Sequence, residues 1–416
     1  MGLTILLWLL VWGGMFSVPA GIVFPGIVAN PLPLLLSLRP YFPHIAIYIC
    51  LMWIFLSKSS LIPSYRTPVG LFFLYAMTGI AASLLISPNR SVSMFWALNY
   101  LSCITVVWVG LTGHDPLRNL SVIIHINYAF AAVIILFILP QALETGITSP
   151  PQGQYYELPL NLGRLLVNGA ARIALAVIIL SFVRLITTTR IRRFSWILLL
   201  FPCLFIITQS QSRTALLGLA ICSFLYVVLK GIDLRYLLFV GPVSLFIFWQ
   251  SAYKWRAEES LEKLVYLTGR EATWQRGIDL FKKSPIFGNG FHADRLMLEF
   301  EHMHNSYFHA LVQSGALGAI CFIAAIVSIW VLIFKYGLFK KVRSLKGTEQ
   351  SLMMESILIF AFMTERSFFE STGAFYGVDL MLLVPAMAYI WFWTQKNVID
   401  KGEEENEIAA ALQASQ

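Results

Sequence analysis

The chain has 416 residues, of which 58% are hydrophobic and only 12% are charged, and its mean hydropathy is +0.72. Soluble domains carry about 25% charged residues, so this composition excludes an ordinary soluble protein and indicates a polytopic membrane protein. Basic loops on one side of the membrane account in part for the formal net charge of +8, so no binding to nucleic acid is expected.

A helix of about 20 apolar residues crosses a bilayer, and about twelve segments of the chain fit this length. They are predicted near residues 3–23, 41–57, 68–87, 92–112, 119–140, 170–187, 194–209, 213–230, 235–251, 306–334, 350–366 and 375–394. Together they predict one all-α integral membrane domain over residues 1–416. The first segment has no basic flank and no small-residue cleavage site, so it is expected to be retained as a helix.

The basic residues of the connectors predict the orientation. They are concentrated in "TTTRIRRF" and "KYGLFKKVRSLKG", which lie on the same side in a twelve-helix order, together with the C-terminal residues 396–416. Cytoplasmic connectors carry the excess of lysine and arginine in membrane proteins. This side is therefore predicted to be cytoplasmic, with both termini and the 396–416 tail on it.

Two longer loops, about residues 141–169 and 252–305, face outward on this topology. The second has the composition of a soluble segment, and within it Trp274, Ile278 and Phe281 recur at helical spacing. The stretch "SPIFGNG" then interrupts the pattern with a proline and two glycines. We therefore predict one or two amphipathic helices that lie over the bundle at the membrane surface.

Several arginines stand at outward helix ends or in the outward loops, against the usual charge bias. They are Arg164, Arg172, Arg213, Arg270 and Arg276. Guanidinium groups bind phosphate oxygens in a bidentate manner, and outward-facing helix N-termini add free N–H groups and a positive dipole end. We predict an anion site at the outer membrane boundary. The alternative for each arginine is that its side chain extends to lipid headgroups.

Three histidines, His302, His304 and His309, lie within "FEHMHNSYFHALVQSGALG", which begins at Phe300. A zinc site needs three or four converging ligands, and the five cysteines stand at no paired motif spacing, so no metal is expected. His302 and His309 are predicted to have surface or packing roles. His304 precedes Asn305, a residue type that caps helices, and the neutral imidazole favoured at a helix N-terminus is suited to act as a base.

Acidic residues are sparse in the predicted spans, and none is expected near the middle of one, which argues against an ion-coupled transporter. Glu365 and Glu370 stand at an outward helix end beside Arg366. A local ion pair with Arg366 is the main expectation for both. Glu365 is also kept as a candidate base, or as the residue that orients the histidine.

The order of several motifs resembles the superfamily of O-antigen ligases and polymerases, which are membrane glycosyltransferases acting on undecaprenyl-diphosphate-linked glycans. The motifs are "SQSRTALLGLA", "TGREATWQRGIDLFKKSPIFGNG", "HNSYFHALVQSGALGAI" and "TER". They cover about residues 208–370, and the remainder resembles the family in hydropathy and in an arginine-bearing loop.

The resemblance implies a GT-C-like fold and a metal-independent, inverting transfer without a cofactor, at the periplasmic face of the bacterial inner membrane. It implies that Arg213 and Arg270 bind the diphosphate and that His304 is the catalytic histidine. By position alone, it adds Arg164, Arg172 and Arg276 as diphosphate binders. Asn305 and Glu365 are expected to support the site.

The expected partners are an undecaprenyl-diphosphate-linked donor, a glycan acceptor and the surrounding membrane lipids. The acceptor separates two readings: lipid A–core for a ligase, which we favour slightly, and a second lipid-linked repeat for a polymerase. A lipid-linked oligosaccharide flippase is an alternative from another class, but it predicts charges within the spans, where this chain has few. A structural scaffold for polysaccharide export would leave the outward arginines and His304 unexplained.

Overall fold

The computed structural model of the protein describes residues 1–16, 32–57, 63–145, 155–158, 163–187, 190–210, 212–232, 270–298 and 302–414. The predicted span near 235–251 and the first part of the outward loop, residues 252–269, lie outside the described residues.

The described chain is almost entirely helical, which confirms the predicted all-α class. Its elements are α1 Gly2–Gly13, α2 Leu32–Leu38, a 3-10 turn at Arg39–Tyr41, α3 Phe42–Leu56, α4 Pro68–Leu85, α5 Arg90–Thr112, α6 Pro116–Thr145, β1 Tyr155–Leu158, β2 Gly163–Leu166, α7 Val167–Thr187, α8 Arg190–Ser210, α9 Arg213–Lys230, α10 Arg270–Lys283, α11 Ala293–Met297, α12 Ser306–Lys335, α13 Leu338–Lys341, α14 Gly347–Arg366 and α15 Val378–Ala414. Within the described residues, 9 helices are long and apolar enough to cross a membrane.

Buried polar side chains join the helices of the bundle. The amide oxygen of Asn127 on α6 accepts hydrogen bonds from the indoles of Trp8 at 2.7 Å and Trp12 at 2.9 Å, and its nitrogen donates to the carbonyl of Met381 at 2.6 Å. A single residue thus connects α1, α6 and α15. Each polar atom finds a partner away from lipid, as the bilayer interior requires.

A buried ion pair between the last turn of α7 and helix α14 lies inside the bundle. Arg184 on α7 donates two hydrogen bonds to the carboxylate of Glu355 on α14, at 2.7 Å and 3.0 Å. The Glu355 side chain is only 1% exposed. A charge in a span is costly unless it is paired, and this bidentate contact provides the pairing.

Among the described residues, the starts of α7, α9, α12 and α15 and the end of α14 lie at the same end of the bundle, which we call the site end. Arg172 near the start of α7 contacts Asp379 near the start of α15. At the end of α14, Arg366 contacts Thr214 at the start of α9. The backbone N–H of Ser306, the first residue of α12, donates to a carbonyl just after α14.

Helix α12 is broken at Gly315, whose φ of 61° and ψ of −167° are not helical. The "SPIFGNG" segment that follows α10 occupies the break. The N–H of Gly290 donates to the carbonyl of Gln313 at 2.9 Å, and the N–H of Ala316 donates to the carbonyl of Pro285 at 2.8 Å. These bonds replace helical ones that the break removes, so the outward segment is fixed to a membrane helix.

Helix α10 confirms the predicted amphipathic helix, although its buried face is displaced from the expected one. Thr273, Gly277 and Leu280 are its buried residues, one position before the predicted Trp274, Ile278 and Phe281 in each case. Trp274 lies at the edge of this face, where its indole donates to the carbonyl of Met303, in the loop before α12, at 2.7 Å.

Strands β1 and β2 form an antiparallel hairpin, the one sheet among the described residues and an element that the sequence analysis did not predict. The hairpin lies in the first outward loop. The hydroxyl of Tyr156 donates to the side chain of Gln209 at the end of α8, so the hairpin is attached to the site end of the bundle.

Candidate active site

His304 stands directly before the capped start of α12. Asn305 is the N-cap, and its side-chain oxygen accepts from the backbone N–H groups of Tyr307 at 2.9 Å and Phe308 at 3.1 Å. The amide of Asn305 also donates to the carbonyl of Phe368 at 3.0 Å. His304 itself has a φ of 45°, a left-handed conformation that is uncommon for a residue with a Cβ atom. The cap and the neighbouring loop together hold the histidine in this conformation.

Glu370 is the hydrogen-bond partner of His304. Its Oε2 atom lies 2.9 Å from Nδ1 of the histidine, and its Oε1 atom lies 3.5 Å from Arg270. Burial alone would raise the pKa of Glu370, but the hydrogen bond with His304 and the charge of Arg366 outweigh it and lower the pKa to about 2. An ionised Glu370 accepts a hydrogen bond from the Nδ1–H group of His304, which leaves Nε2 of the ring to accept a proton.

Glu370, not Glu365, lies against the histidine, so the expectation that Glu365 orients His304 is wrong. Glu365 is 8% exposed, and among the described residues its carboxyl oxygens have no hydrogen-bond partner. The two glutamates are five positions apart at the end of a helix, and the turn after α14 brings only Glu370 against His304.

Two arginines share one carboxylate beside this pair. Arg172 donates to Oδ2 of Asp379 at 2.9 Å, and Arg366 approaches the same oxygen at 3.5 Å. Arg366 also lies 3.4 Å from the hydroxyl of Thr214, the residue after Arg213. The expected pairing of Arg366 with Glu365 or Glu370 is therefore replaced by one with Asp379. Two guanidinium groups against one carboxylate leave a net positive charge, which suits an anion.

The structure brings Arg270 into contact with the His304 pair and Arg172 into the neighbouring cluster, while Arg213 adjoins that cluster through Thr214. The side chain of Arg213 is exposed at the start of α9. Arg270 also donates to the carbonyl of Phe369 at 2.7 Å. The arginines of α7, α9 and α10 thus meet at the site end.

Arg164 and Arg276 take no part in these hydrogen bonds. Arg164 on β2 is 63% exposed and lies 3.6 Å from Glu157 on the paired strand, with its guanidinium 4.2 Å from the ring centre of Tyr155. Arg276 is exposed on α10. Both residues were predicted as diphosphate binders from their expected outward position alone. Position does not distinguish a site residue from a surface residue.

The other two histidines surround a buried carboxyl group. Nδ1 of His309 lies 3.5 Å from Asp294, and Nδ1 of His302 lies 3.8 Å from it. Burial lowers the pKa of His302 to about 3, with a further contribution from the charge of Arg295, so this ring is neutral. His309 is buried and its ring stacks on Phe375. Among the described residues, no group of three or more His, Cys, Asp or Glu side chains is arranged to hold a metal.

The fold and the site define a polytopic helical membrane protein with a cationic polar site at one end of its bundle. Residues 196–323 match a family model described as O-antigen ligase, a segment that includes Arg213, Arg270 and His304. The chain is 29% identical over 120 residues to the exopolysaccharide production protein ExoQ of Rhizobium meliloti (strain 1021), a match covering 25% of this chain and 26% of that protein. No solved structure matches. The two matches confirm the predicted resemblance to the superfamily of O-antigen ligases and polymerases.

Three functional candidates were missed or misassigned from the sequence: Glu370, Asp379 and the pairing role of Arg366. Each is a charged residue near the site end of one of the last two long helices, and this was the only signal available. Glu370 and Asp379 also lie beyond the segment that matches the family model. Their roles become visible only when α14 and α15 are placed against α7, α10 and α12.

Proposed function

We propose that the chain is a membrane glycosyltransferase that moves a glycan from a lipid diphosphate to a sugar hydroxyl at the periplasmic face of the bacterial inner membrane. Undecaprenyl diphosphate is the proposed lipid. The observation that carries the proposal is the His304–Glu370 pair at the capped start of α12, in contact with Arg270. An imidazole held through Nδ1 next to guanidinium groups combines a base with a binding site for an anionic leaving group.

The arginines act on the leaving group. When the bond between the anomeric carbon and the diphosphate oxygen breaks, the electron pair stays on the diphosphate, which gains negative charge. Fixed cationic donors stabilise such developing charge without reorganisation. Arg270, Arg172 and Arg213 are the proposed donors, and Arg366 is added to them because it shares Asp379 with Arg172.

His304 acts on the acceptor. Its Nε2 atom takes the proton of the acceptor hydroxyl as that oxygen forms a bond to the anomeric carbon. Glu370 fixes the ring through Nδ1 and stabilises the imidazolium that results, as the buried carboxylate does in hydrolytic triads. Attack opposite the leaving diphosphate inverts the anomeric configuration. No metal and no cofactor enters the proposed reaction.

The proposed transfer has two candidate acceptors. Transfer to lipid A–core, the reaction of an O-antigen ligase, remains our first candidate, and the family description of residues 196–323 supports it. Transfer to a second lipid-linked repeat, the reaction of a polymerase, is the second candidate. The likeness to a protein named for exopolysaccharide production favours this second reading.

One reconstitution tests the function and the acceptor together. Purified protein is mixed with lipid-linked glycan and either lipid A–core or additional lipid-linked repeats, and products are resolved by mass. Extension of lipid A–core supports the ligase, and longer lipid-linked glycans support the polymerase. The His304→Ala variant is the control in both reactions. Transfer at the wild-type rate in that variant, or no transfer to either acceptor by the wild type, contradicts the proposal.

A further inference from the structure

A pocket lies beside the candidate active site, between the second turn of α5, the segment around α11, the break in α12 and the turn before α15. Its cavity volume is about 80 Å³. Trp96 and Phe375 supply aromatic walls, and His292, Arg295 and Gln313 supply polar groups. Such a combination is typical of sites that orient a small polar ligand against apolar surfaces.

The pocket reaches His304 through His302. Arg295 in the pocket wall lies 3.3 Å from Nδ1 of His302. The ring of His302 is 5.5 Å from the ring of His304 and 6.1 Å from that of Phe375, measured between ring centres. The pocket wall is therefore separated from the candidate base by one side chain.

The pocket and the arginine cluster contact different neighbours of His304. Arg270 reaches it through Glu370 on the Nδ1 side, whereas the pocket reaches it through His302. In-line displacement requires the acceptor to approach away from the leaving diphosphate. A pocket that meets the base through a different side chain from the arginines is suited to the acceptor.

The charge of the pocket favours a neutral ligand over a phosphate. Arg295 is adjacent to the fully buried side chain of Asp294, whose carboxyl oxygens have no hydrogen-bond partner among the described residues. The acidic group offsets the guanidinium charge. In contrast, Arg172 and Arg366 share a single carboxylate, and that cluster retains positive charge.

We propose that this pocket binds one sugar ring of the acceptor glycan, next to the ring that carries the attacking hydroxyl. The proposal rests on the glycosyltransferase function proposed above. One face of Trp96 stacks on His292 and one face of Phe375 stacks on His309, so their other faces pack against the C–H groups of the sugar. Arg295 donates hydrogen bonds to its hydroxyl groups, while Gln313 holds the pocket wall by accepting from the N–H of His292 and donating to the carbonyl of Ala374. A cavity of about 80 Å³ admits at most one ring, so the pocket selects the sugar that neighbours the site of transfer.

The kinetic test compares Trp96→Leu and Arg295→Gln with the wild type. We expect the KM for the acceptor to rise about tenfold or more in each variant, the effect of losing one good polar or packing contact. The KM for the lipid-linked donor and kcat should change much less. The matched controls are Trp53→Leu and Arg118→Gln, two exposed residues outside the pocket. Unchanged acceptor KM, or an equal rise for donor and acceptor, overturns the proposal.

A binding measurement separates this proposal from the proposed function. Oligosaccharides released by mild acid from the surface polysaccharide of the producing cells are titrated into detergent-solubilised protein carrying His304→Ala. We expect saturable binding that Trp96→Leu weakens about tenfold while the thermal unfolding midpoint is retained. If the wild type transfers no glycan but this binding is observed, the proposed function is contradicted and the proposed sugar-binding pocket is supported. If transfer occurs without such binding, and the pocket variants leave the acceptor KM unchanged, the proposed pocket is contradicted and the proposed function is supported.

Discussion

At the residue scale, the function of the candidate site depends on the fixed orientation of the His304 imidazole. Nδ1 is committed to Glu370 at 2.9 Å, and the backbone is held by the Asn305 cap. The imidazole is therefore fixed in direction before any substrate arrives. Pre-organisation of this kind lowers the cost of placing a base against a reacting hydroxyl.

The first prediction concerns this pair. We expect His304→Ala to lower kcat by about 10²–10⁴-fold, the usual range for loss of a general base. Glu370→Gln should lower kcat less, because an amide still accepts a hydrogen bond but cannot stabilise the imidazolium by charge. Single-turnover rates with a lipid-linked donor measure both effects.

The same assay separates a base from a metal site. His302→Ala and His309→Ala should lose stability more than rate per folded molecule, because both rings pack around Asp294. Chelators should leave the wild type active. Stoichiometric zinc in the purified protein, together with equal loss of rate in all three alanine variants, would contradict the assignment of His304 as the base.

The second prediction concerns the arginines. We expect Arg270→Ala and Arg213→Ala to reduce transfer strongly, since a charge-assisted contact contributes about 1.5–3 kcal/mol. Lysine at either position should restore little, because it lacks the planar fork that binds two phosphate oxygens. The exposed Lys282 on α10 provides the control variant Lys282→Ala. Full activity of both alanine variants would exclude diphosphate binding by these residues.

At the element scale, the break in α12 and the segment after α10 form one interlocked unit. The backbone of Gly288 has a φ of 76° and that of Gly315 a φ of 61°. A Cβ atom on Gly288 would lie 2.4 Å from the backbone nitrogen of Gly315, and one on Gly315 would lie 2.3 Å from the carbonyl oxygen of Ile286. Two glycines are therefore required at one crossing of the backbone.

The third prediction follows from this crossing. Gly315→Ala should destabilise the protein by more than the roughly 1–3 kcal/mol of left-handed backbone strain alone, because backbone atoms block the new Cβ. Gly337→Ala is the matched control, since Gly337 has a φ of 59° with nothing within 4 Å of a built Cβ. Thermal unfolding in detergent measures both variants. An equal loss of stability in the two variants would show that the close backbone approach at the crossing adds nothing to the strain of a left-handed alanine.

The fourth prediction is the pH dependence of the outward segment. Burial lowers the pKa of His292 to about 4 and that of His302 to about 3, both below the usual value near 6.5. The unfolded chain therefore binds protons that the folded chain does not, and stability falls as the pH decreases from about 6.5. Glu370, with its pKa lowered to about 2, adds a further loss only as the pH falls below about 4.5.

Thermal unfolding midpoints between pH 7.5 and pH 5 test the histidine contribution, since that range lies above the Glu370 transition. We expect His302→Gln to weaken the pH dependence. The exposed His114 provides the control variant His114→Gln, which should not. A flat profile for the wild type over this range would contradict the prediction.

Periodicity predicted some elements of the outward loops and not others. Helix α10 has enough residues for a helical repeat to show, although its buried face is centred on small residues, Thr273 and Gly277, that a search for large apolar side chains overlooks. The hairpin has only four residues in each strand. Its partner, Gln209, comes from a distant helix, so the strands carry little signal of their own.

At the scale of the whole molecule, hydropathy predicted the all-α membrane class but not which helices are neighbours. Arg172 and Asp379 are 207 positions apart, and Arg184 and Glu355 are 171 apart. A hydropathy pattern contains no information about such pairs. The motifs therefore led to His304 and Arg270, whereas Glu370 and Asp379 had to be found from the packing of helices.

The last prediction is the orientation of the bundle. The site end, which includes α10 and the hairpin, should face the periplasm, while the α12–α14 connector with its lysines should face the cytoplasm. Asp279 on α10 and Lys340 on α13 are both exposed, so each can carry a cysteine probe. Of the five native cysteines, four are buried and none is paired, which limits background labelling. A membrane-impermeant maleimide added to intact cells should modify Asp279→Cys, and Lys340→Cys only after the membrane is opened. Labelling of Lys340→Cys in intact cells would reverse the orientation and place the candidate active site on the cytoplasmic side.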